Sequence, residues 1–179
     1  MQDYNQSYEQ VQKVQVIDST IKRAFKVVLD SNLAVSWSGS QFNATYVVDF
    51  KNVVREAWRL KKAYYMTFSF VSMADTAAVT GISNANVYTL HIDMGKGQNI
   101  YRYSNVKVPS GIVRVDTQGT NLLFNAKPTD NEPVLIDNLL DVNAITVNLI
   151  ATATNTTFVP GTGGAAGTRY VCILNLQEA

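Results

Sequence analysis

The sequence predicts an all-β fold: a two-sheet antiparallel sandwich, wound as a single jelly roll of about eight strands. Three observations carry this. Apolar and polar residues alternate along one segment after another, the period of a strand with a single buried face. Turn-forming Gly, Asn, Ser and Pro separate these segments, and no long helical pattern lies between them. The connections at 72–84 and 152–168 are long, which suits a jelly roll better than a simple meander. A chain of 179 residues is enough for one domain that buries roughly 70% of the surface its unfolded form exposes.

Residues 1–18 are polar, rich in Gln and Tyr and without a clear period, and read as a flexible N-terminal arm. Residues 19–179 form the domain. In 24–29, Phe25, Val27 and Leu29 share one face opposite Ala24, Lys26 and Val28. In 43–50, Ala44, Tyr46, Val48 and Phe50 lie opposite Thr45, Val47 and Asp49. The clearest strand covers 63–71, where Tyr64, Met66, Phe68 and Phe70 alternate with Tyr65, Thr67, Ser69 and Val71. Between these two, residues 52–60 form a connection of helical character capped by Asn52. Residues 87–94 turn Tyr88, Leu90, Ile92 and Met94 inward. Shorter strands follow at 112–115 and 122–124, and 133–136 reads as an edge strand because it opens on Pro133. Residues 143–151 bury Ile145, Val147 and Leu149, and 169–176 close the roll with Tyr170, Cys172, Leu174 and Leu176. An immunoglobulin-like sandwich is the main competitor, and the chain lacks its Cys–Trp–Cys signature.

Composition narrows the function. Lys and Arg number 15 against 14 Asp and Glu, for a net charge of +1. That balance excludes a strongly basic nucleic-acid binder, which needs an excess of cations to displace counterions from phosphates. Charged residues make up 16% of the chain, against about 25% in ordinary soluble domains. A polar but weakly charged surface suits a protein that meets other proteins. The single Cys excludes an intrachain disulfide framework and any multi-cysteine metal site. The first ten residues lack the basic and apolar regions of a secretory signal, and no run of about 18 apolar residues occurs. Synthesis in a reducing cytosol is the expectation.

Each chemical motif has a plainer reading that fits it better. Gly161-Thr-Gly-Gly-Ala-Ala-Gly leads into a strand rather than a helix N-terminus and lacks a following Lys-Ser/Thr, so it reads as a flexible loop. His91 and Asp93 share the outward face of one strand, but no second His is available to complete a metal site, and no Gly-x-Ser-x-Gly supplies a nucleophile. Asp130-Asn131-Glu132, Asp137-Asn138 and Asp141 are oxygen-rich but read as turn chemistry. Asp49, Asp93 and Asp116 fall on or near strands, and because a sandwich can bring distant acids together the sequence neither supports nor refutes a carboxylate pair. Acids on exposed faces or strand ends are the plainer reading. Cys172 lies on the apolar face of the last strand and reads as structural. Arg55, Arg59, Lys61 and Lys62, with Trp58 and Tyr64, form the one local basic and aromatic cluster, a composition found at subunit contacts and on single-stranded nucleic-acid binders. No catalytic residue, cofactor or metal is expected.

The run Asn43-Ala-Thr-Tyr-Val-Val-Asp-Phe, followed after a linker by Lys62-Ala-Tyr-Tyr-Met-Thr-Phe-Ser-Phe, resembles the opening strands of single jelly-roll capsid proteins from large icosahedral DNA viruses, polinton-like viruses and virophages. Tyr170-Val-Cys-Ile-Leu-Asn-Leu-Gln looks like their closing strand. The resemblance spans residues 20–177 and rests on strand patterns rather than signature residues. It implies a virion structural protein of penton or minor-capsid type, without catalysis, made in the host cytoplasm and assembling with itself as a pentamer or trimer and with other capsid proteins. Many such proteins are longer, with inserted outer domains, so a chain of this size would suit a minor shell role. The interface residues expected on this reading are Tyr4 and Tyr8 in the arm, and Arg55, Trp58 and Arg59. The alternative is a carbohydrate- or receptor-binding sandwich using Trp37, Tyr101 and Tyr103 as stacking platforms.

Overall fold

The structure, a computed structural model, describes residues 15–19, 23–35, 43–75, 87–95, 110–118, 121–151, 156–157 and 169–179. They form an all-β fold of eleven antiparallel strands: β1 (Gln15–Ser19), β2 (Ala24–Asp30), β3 (Asn43–Val47), β4 (Tyr64–Asp75), β5 (Tyr88–Asp93), β6 (Gly111–Gln118), β7 (Asn121–Ala126), β8 (Val134–Ile136), β9 (Ala144–Ala151), β10 (Thr156–Thr157) and β11 (Arg169–Glu178). The strands make a single curled sheet in the order β1-β2-β11-β4-β7-β6-β5-β9-β10, with β3 also on β9 and β8 on β4. The separate sheets expected from the sequence are joined through β6. Gly111, Ile112 and Val113 pair with β5, whereas the strand from Arg114 onward pairs with β7.

Register explains the core. In one half, Phe25, Leu176 and Met66 stand side by side, as do Val27, Leu174 and Phe68, and then Leu29, Cys172, Phe70 and Ala126. In the other half, Ala44, Val147 and Ile92 align, then Leu149 with Leu90, then Ala151 with Tyr88 and Val113. All of these side chains are buried. Each contributes roughly 1.5–3 kcal/mol when it is a large aliphatic or Phe, so the inward alternation outweighs the weak intrinsic preferences of the individual strands. A one-residue slip would turn every row outward, which pins the register.

The two ends of the sheet meet across this core. Tyr46 on β3 donates a hydrogen bond to the Tyr170 hydroxyl on β11. The rings lie edge to face with centroids 6.5 Å apart, and Phe70 packs against Tyr170 at 5.7 Å. Tyr170→Phe leaves the buried Tyr46 hydroxyl without this acceptor. The expected loss is about 2 kcal/mol by chemical denaturation. Tyr46→Phe in the same chain should recover much of it, because removing both partners of a buried bond costs less than stranding one.

Three local readings change. The arm is shorter than expected, since residues 15–18 lie in β1, paired antiparallel with β2. Val16 is half-buried against the core, while the apolar Ile17 beside it is exposed, so the segment shows no clean period of two. The connection after β3 begins earlier than Asn52. Helix α1 (Phe50–Val53) is capped by Asp49, whose carboxylate accepts from the Asn52 backbone N–H at 3.1 Å, so Asn52 is the residue held rather than the cap. Phe50 therefore reaches the core from a helical turn and not from the end of a strand. The strand count rises from about eight to eleven chiefly because β1 and the two-residue β10 carry too little alternation to be read, while the strand expected at 133–136 is found as β8.

Candidate functional site

The segment between β3 and β4 carries five of the chain's 15 Lys and Arg within residues 50–62, against a single acid, Glu56. Two short turns build it: α1, and the 3-10 turn Ala57–Lys61. Three apolar pins hold it down. Phe50, Val54 and Leu60 are buried, with the Phe50 ring centroid 6.2 Å from that of Phe25. The Leu60 carbonyl accepts from the backbone N–H groups of Leu139 at 2.7 Å and Leu140 at 3.2 Å. Around the pins most of the segment faces outward, and Lys51, Arg55, Trp58, Lys61 and Lys62 are exposed.

The cluster read as one patch in the sequence divides here. Trp58 is 54% exposed and lies beneath the Lys62 ammonium, whose Nζ is 5.8 Å from the ring centroid. Arg55 stands free of any ion pair with another described residue. Arg59 is 3% exposed and points inward. Its guanidinium sits 4.6 Å over the Phe25 ring and its Nη1 lies 3.3 Å from Glu56 Oε2. Its backbone carbonyl accepts from the Tyr64 hydroxyl at 2.8 Å. Burying an arginine requires such partners, and an aromatic face plus a carboxylate supply them. Arg59 thus braces the segment rather than lining a contact. An open groove of about 620 Å³ adjoins the segment, bounded by Val47, Asp49, Lys51, Leu140, Asp141 and Asn143.

The remaining candidates fall into structural roles. His91 is half-buried, with Nε2 3.2 Å from Thr89 Oγ1. Asp93 Oδ1 accepts from the Gly95 backbone at 2.8 Å, closing the turn where Gly95 has φ +63°. Asp116 accepts from Asn125 Nδ2 at 2.7 Å across the β6–β7 pair, and Asp49 caps α1. Asp130 accepts from the Lys127 backbone at 3.1 Å and lies 3.5 Å from Arg114. Asn131 Oδ1 accepts from the Ile112 N–H at 2.7 Å, standing in for a neighbouring strand where β6 changes partner. These carboxylates and amides are thus engaged in turn and strand-end bonds, as their residue types suggest. Among the described residues no group of three His, Cys, Asp or Glu side chains is placed to hold a metal ion. Cys172 is fully buried, and burial pushes its thiol pKa upward, the opposite of a reactive thiolate. No helix among the described residues is long and apolar enough to cross a membrane. Tyr4, Tyr8, Trp37, Tyr101, Tyr103 and the loop from Gly161 lie outside the described residues.

The sheet's outer face carries exposed apolar side chains, among them Ile17, Val47, Tyr65, Val71 and Ile112, whose significance the sequence did not mark. Outside β1 their alternation was legible, yet nothing in the pattern distinguishes an apolar outward residue from a covered one. Neither a protein-family model nor a curated protein sequence matches this chain.

Proposed function

We propose that the chain is a virion structural protein, a capsid subunit of penton or minor-capsid type that folds as a single jelly roll and acts by assembling with itself and with other capsid proteins. The observation that carries this is the pairing order. Number β2, β3, β4, β5, β6, β7, β9 and β11 from one to eight. The pairs β2–β11, β3–β9, β4–β7 and β5–β6 then join first to eighth, second to seventh, third to sixth and fourth to fifth. This order supports the reading of one long hairpin wound on itself, the two-Greek-key plan of a jelly roll. The β11–β4 and β9–β5 pairs then give the four-strand runs β2-β11-β4-β7 and β3-β9-β5-β6. The roll hosts several functions, so the assembly reading also needs the surface. Support comes from its low charge and from outward Trp58, Tyr65, Val71 and Ile112, since exposed aromatic and apolar side chains favour protein contacts.

Light scattering across a concentration series tests this reading. A discrete pentamer or trimer is expected, and the number distinguishes a fivefold vertex from a threefold capsomer. A strict monomer at every concentration overturns it. Because β1 begins at Gln15, the informative truncation removes residues 1–14. It should leave thermal unfolding within a few degrees of the full chain while reducing assembly. Truncation to residue 18 strips most of β1 from β2 and confounds the two effects.

A further inference from the structure

We infer that the outward face of residues 50–62, formed by Lys51, Arg55, Trp58, Lys61 and Lys62, is the docking site for the N-terminal arm of a second copy of this chain, which brings Asp3, Tyr4, Tyr8 and Glu9. The inference rests on the assembly reading and names the contact that would carry it.

Charge complementarity is the first argument. Residues 1–10 contain two carboxylates and no Lys or Arg, whereas residues 50–62 hold five cations and one carboxylate. Lys13 brings residues 1–14 to two carboxylates and one cation, so the arm is net acidic while the 50–62 segment is strongly net basic. Lys51, Arg55, Lys61 and Lys62 make no ion pair with any other described residue, while Arg23, Arg59 and Arg114 are each within 4.0 Å of a carboxylate. Side-chain type is the second argument. Trp58 is exposed beside these cations, and the arm spaces its two tyrosines four residues apart between its acids. Trp, Tyr and Arg are the residue types enriched at contact hot spots.

Where the arm begins favours a second copy over its own chain. Ser19 pairs with Ala24, and Gln15 with Val28, so the chain enters β1 from the Val28 end. The basic segment lies at the opposite end, where Phe50 and Arg59 pack on Phe25 and the Ala179 N–H bonds to the Ala63 carbonyl at 3.0 Å. The described chain thus enters β1 at the end of the strand away from the basic segment. Fourteen residues reach up to roughly 45 Å when extended, about the width of a domain of this size. Single-stranded nucleic acid is the less favoured occupant. The Lys62 ammonium already covers one face of the single exposed described indole, and four cations neutralise few phosphates.

The test is a charge swap in the full-length protein, read by sedimentation velocity with circular dichroism as the folding control. Asp3→Lys/Glu9→Lys and Lys61→Glu/Lys62→Glu should each weaken self-association at least about tenfold, since like charges then face each other. Combining all four substitutions should restore it to within about threefold of the unmodified chain, and Trp58→Ala should weaken it without rescue. If the unmodified chain assembles and no variant shifts it, this docking site is wrong while the shell reading stands. If the unmodified chain is monomeric throughout, the shell reading falls and takes the site with it. A swap that moves Trp fluorescence but never the mass places the arm on its own chain and overturns the second copy. Binding of a thymidine oligonucleotide that Lys61→Glu/Lys62→Glu abolishes, with assembly unchanged, assigns the face to nucleic acid instead.

Discussion

Raising the pH from 9 to 11 should remove about 5 kcal/mol of folding stability, much of the roughly 10 kcal/mol a domain of this kind possesses. The cause lies at the centre of the curled sheet. Tyr46, Tyr170 and Cys172 are buried, and burial is the largest cause pushing each of them upward from ordinary values near 10, 10 and 9. Proximity of the two phenols raises Tyr170 further. The sign follows from proton counting. With native values raised, the folded protein keeps these protons while the unfolded chain releases them above pH 9 for the thiol and pH 10 for the phenols. Stability is therefore complete below pH 9 and falls as pH rises, by up to about 4 kcal/mol per unit once all three titrate in the unfolded chain. Urea unfolding at pH 8, 9, 10 and 11 measures it. Cys172→Ala should flatten the part between pH 9 and 10 and leave the steeper part above. A stability unchanged up to pH 11 would show that these groups are not shielded as described.

Gly111→Ala should destabilise the domain by about 2–4 kcal/mol. A Cβ at this position would stand 2.4 Å from Asn131 Cγ and 2.8 Å from Phe68 Cζ, closer than real atoms approach. Asn131 is the softer neighbour. Moving it breaks its acceptance from the Ile112 N–H, 2.7 Å, and its donation to the Ile112 carbonyl, 3.4 Å. Both bonds sit where β6 leaves β5 for β7, so their loss strikes the joint of the sheet. Thermal unfolding of Gly111→Ala alongside Asn131→Ala separates the two contributions. Gly111→Ala in the Asn131→Ala background should cost less than alone, since the nearer clash is gone.

What could be read from the sequence was what a period of two encodes. The alternation in 63–71 fixed the inward face of β4, with Tyr64, Met66, Phe68 and Phe70 all buried, and the same held for Phe25, Val27 and Leu29 on β2. Cys172 was legible because apolar neighbours at the right spacing leave a thiol nowhere to go but inward. Neighbour choice was not legible, since β11 lies between β2 and β4 through contacts that local spacing does not record. Nor was the fate of Arg59. Charge alone placed it on the surface beside Arg55, whereas the 3-10 turn rotates it onto Phe25, a partner 34 positions earlier in the chain. Asp49 reads as a strand residue because the alternation of Ala44, Tyr46, Val48 and Phe50 continues past the end of β3 at Val47.

The position of β11 has a consequence for how the molecule is made. It is the last described strand to leave the ribosome, yet it supplies the shared neighbour of β2 and β4, with Val27 waiting for Leu174 across 147 positions of chain. Until residues 169–178 emerge, the first half of the sheet has no middle, and the closing of so long a loop makes folding slow. A nascent chain therefore cannot present a finished surface to a sibling on the same message. Ribosome-attached chains halted before residue 169 should remain protease-sensitive throughout, and protection should appear in a single step once β11 has cleared the exit tunnel.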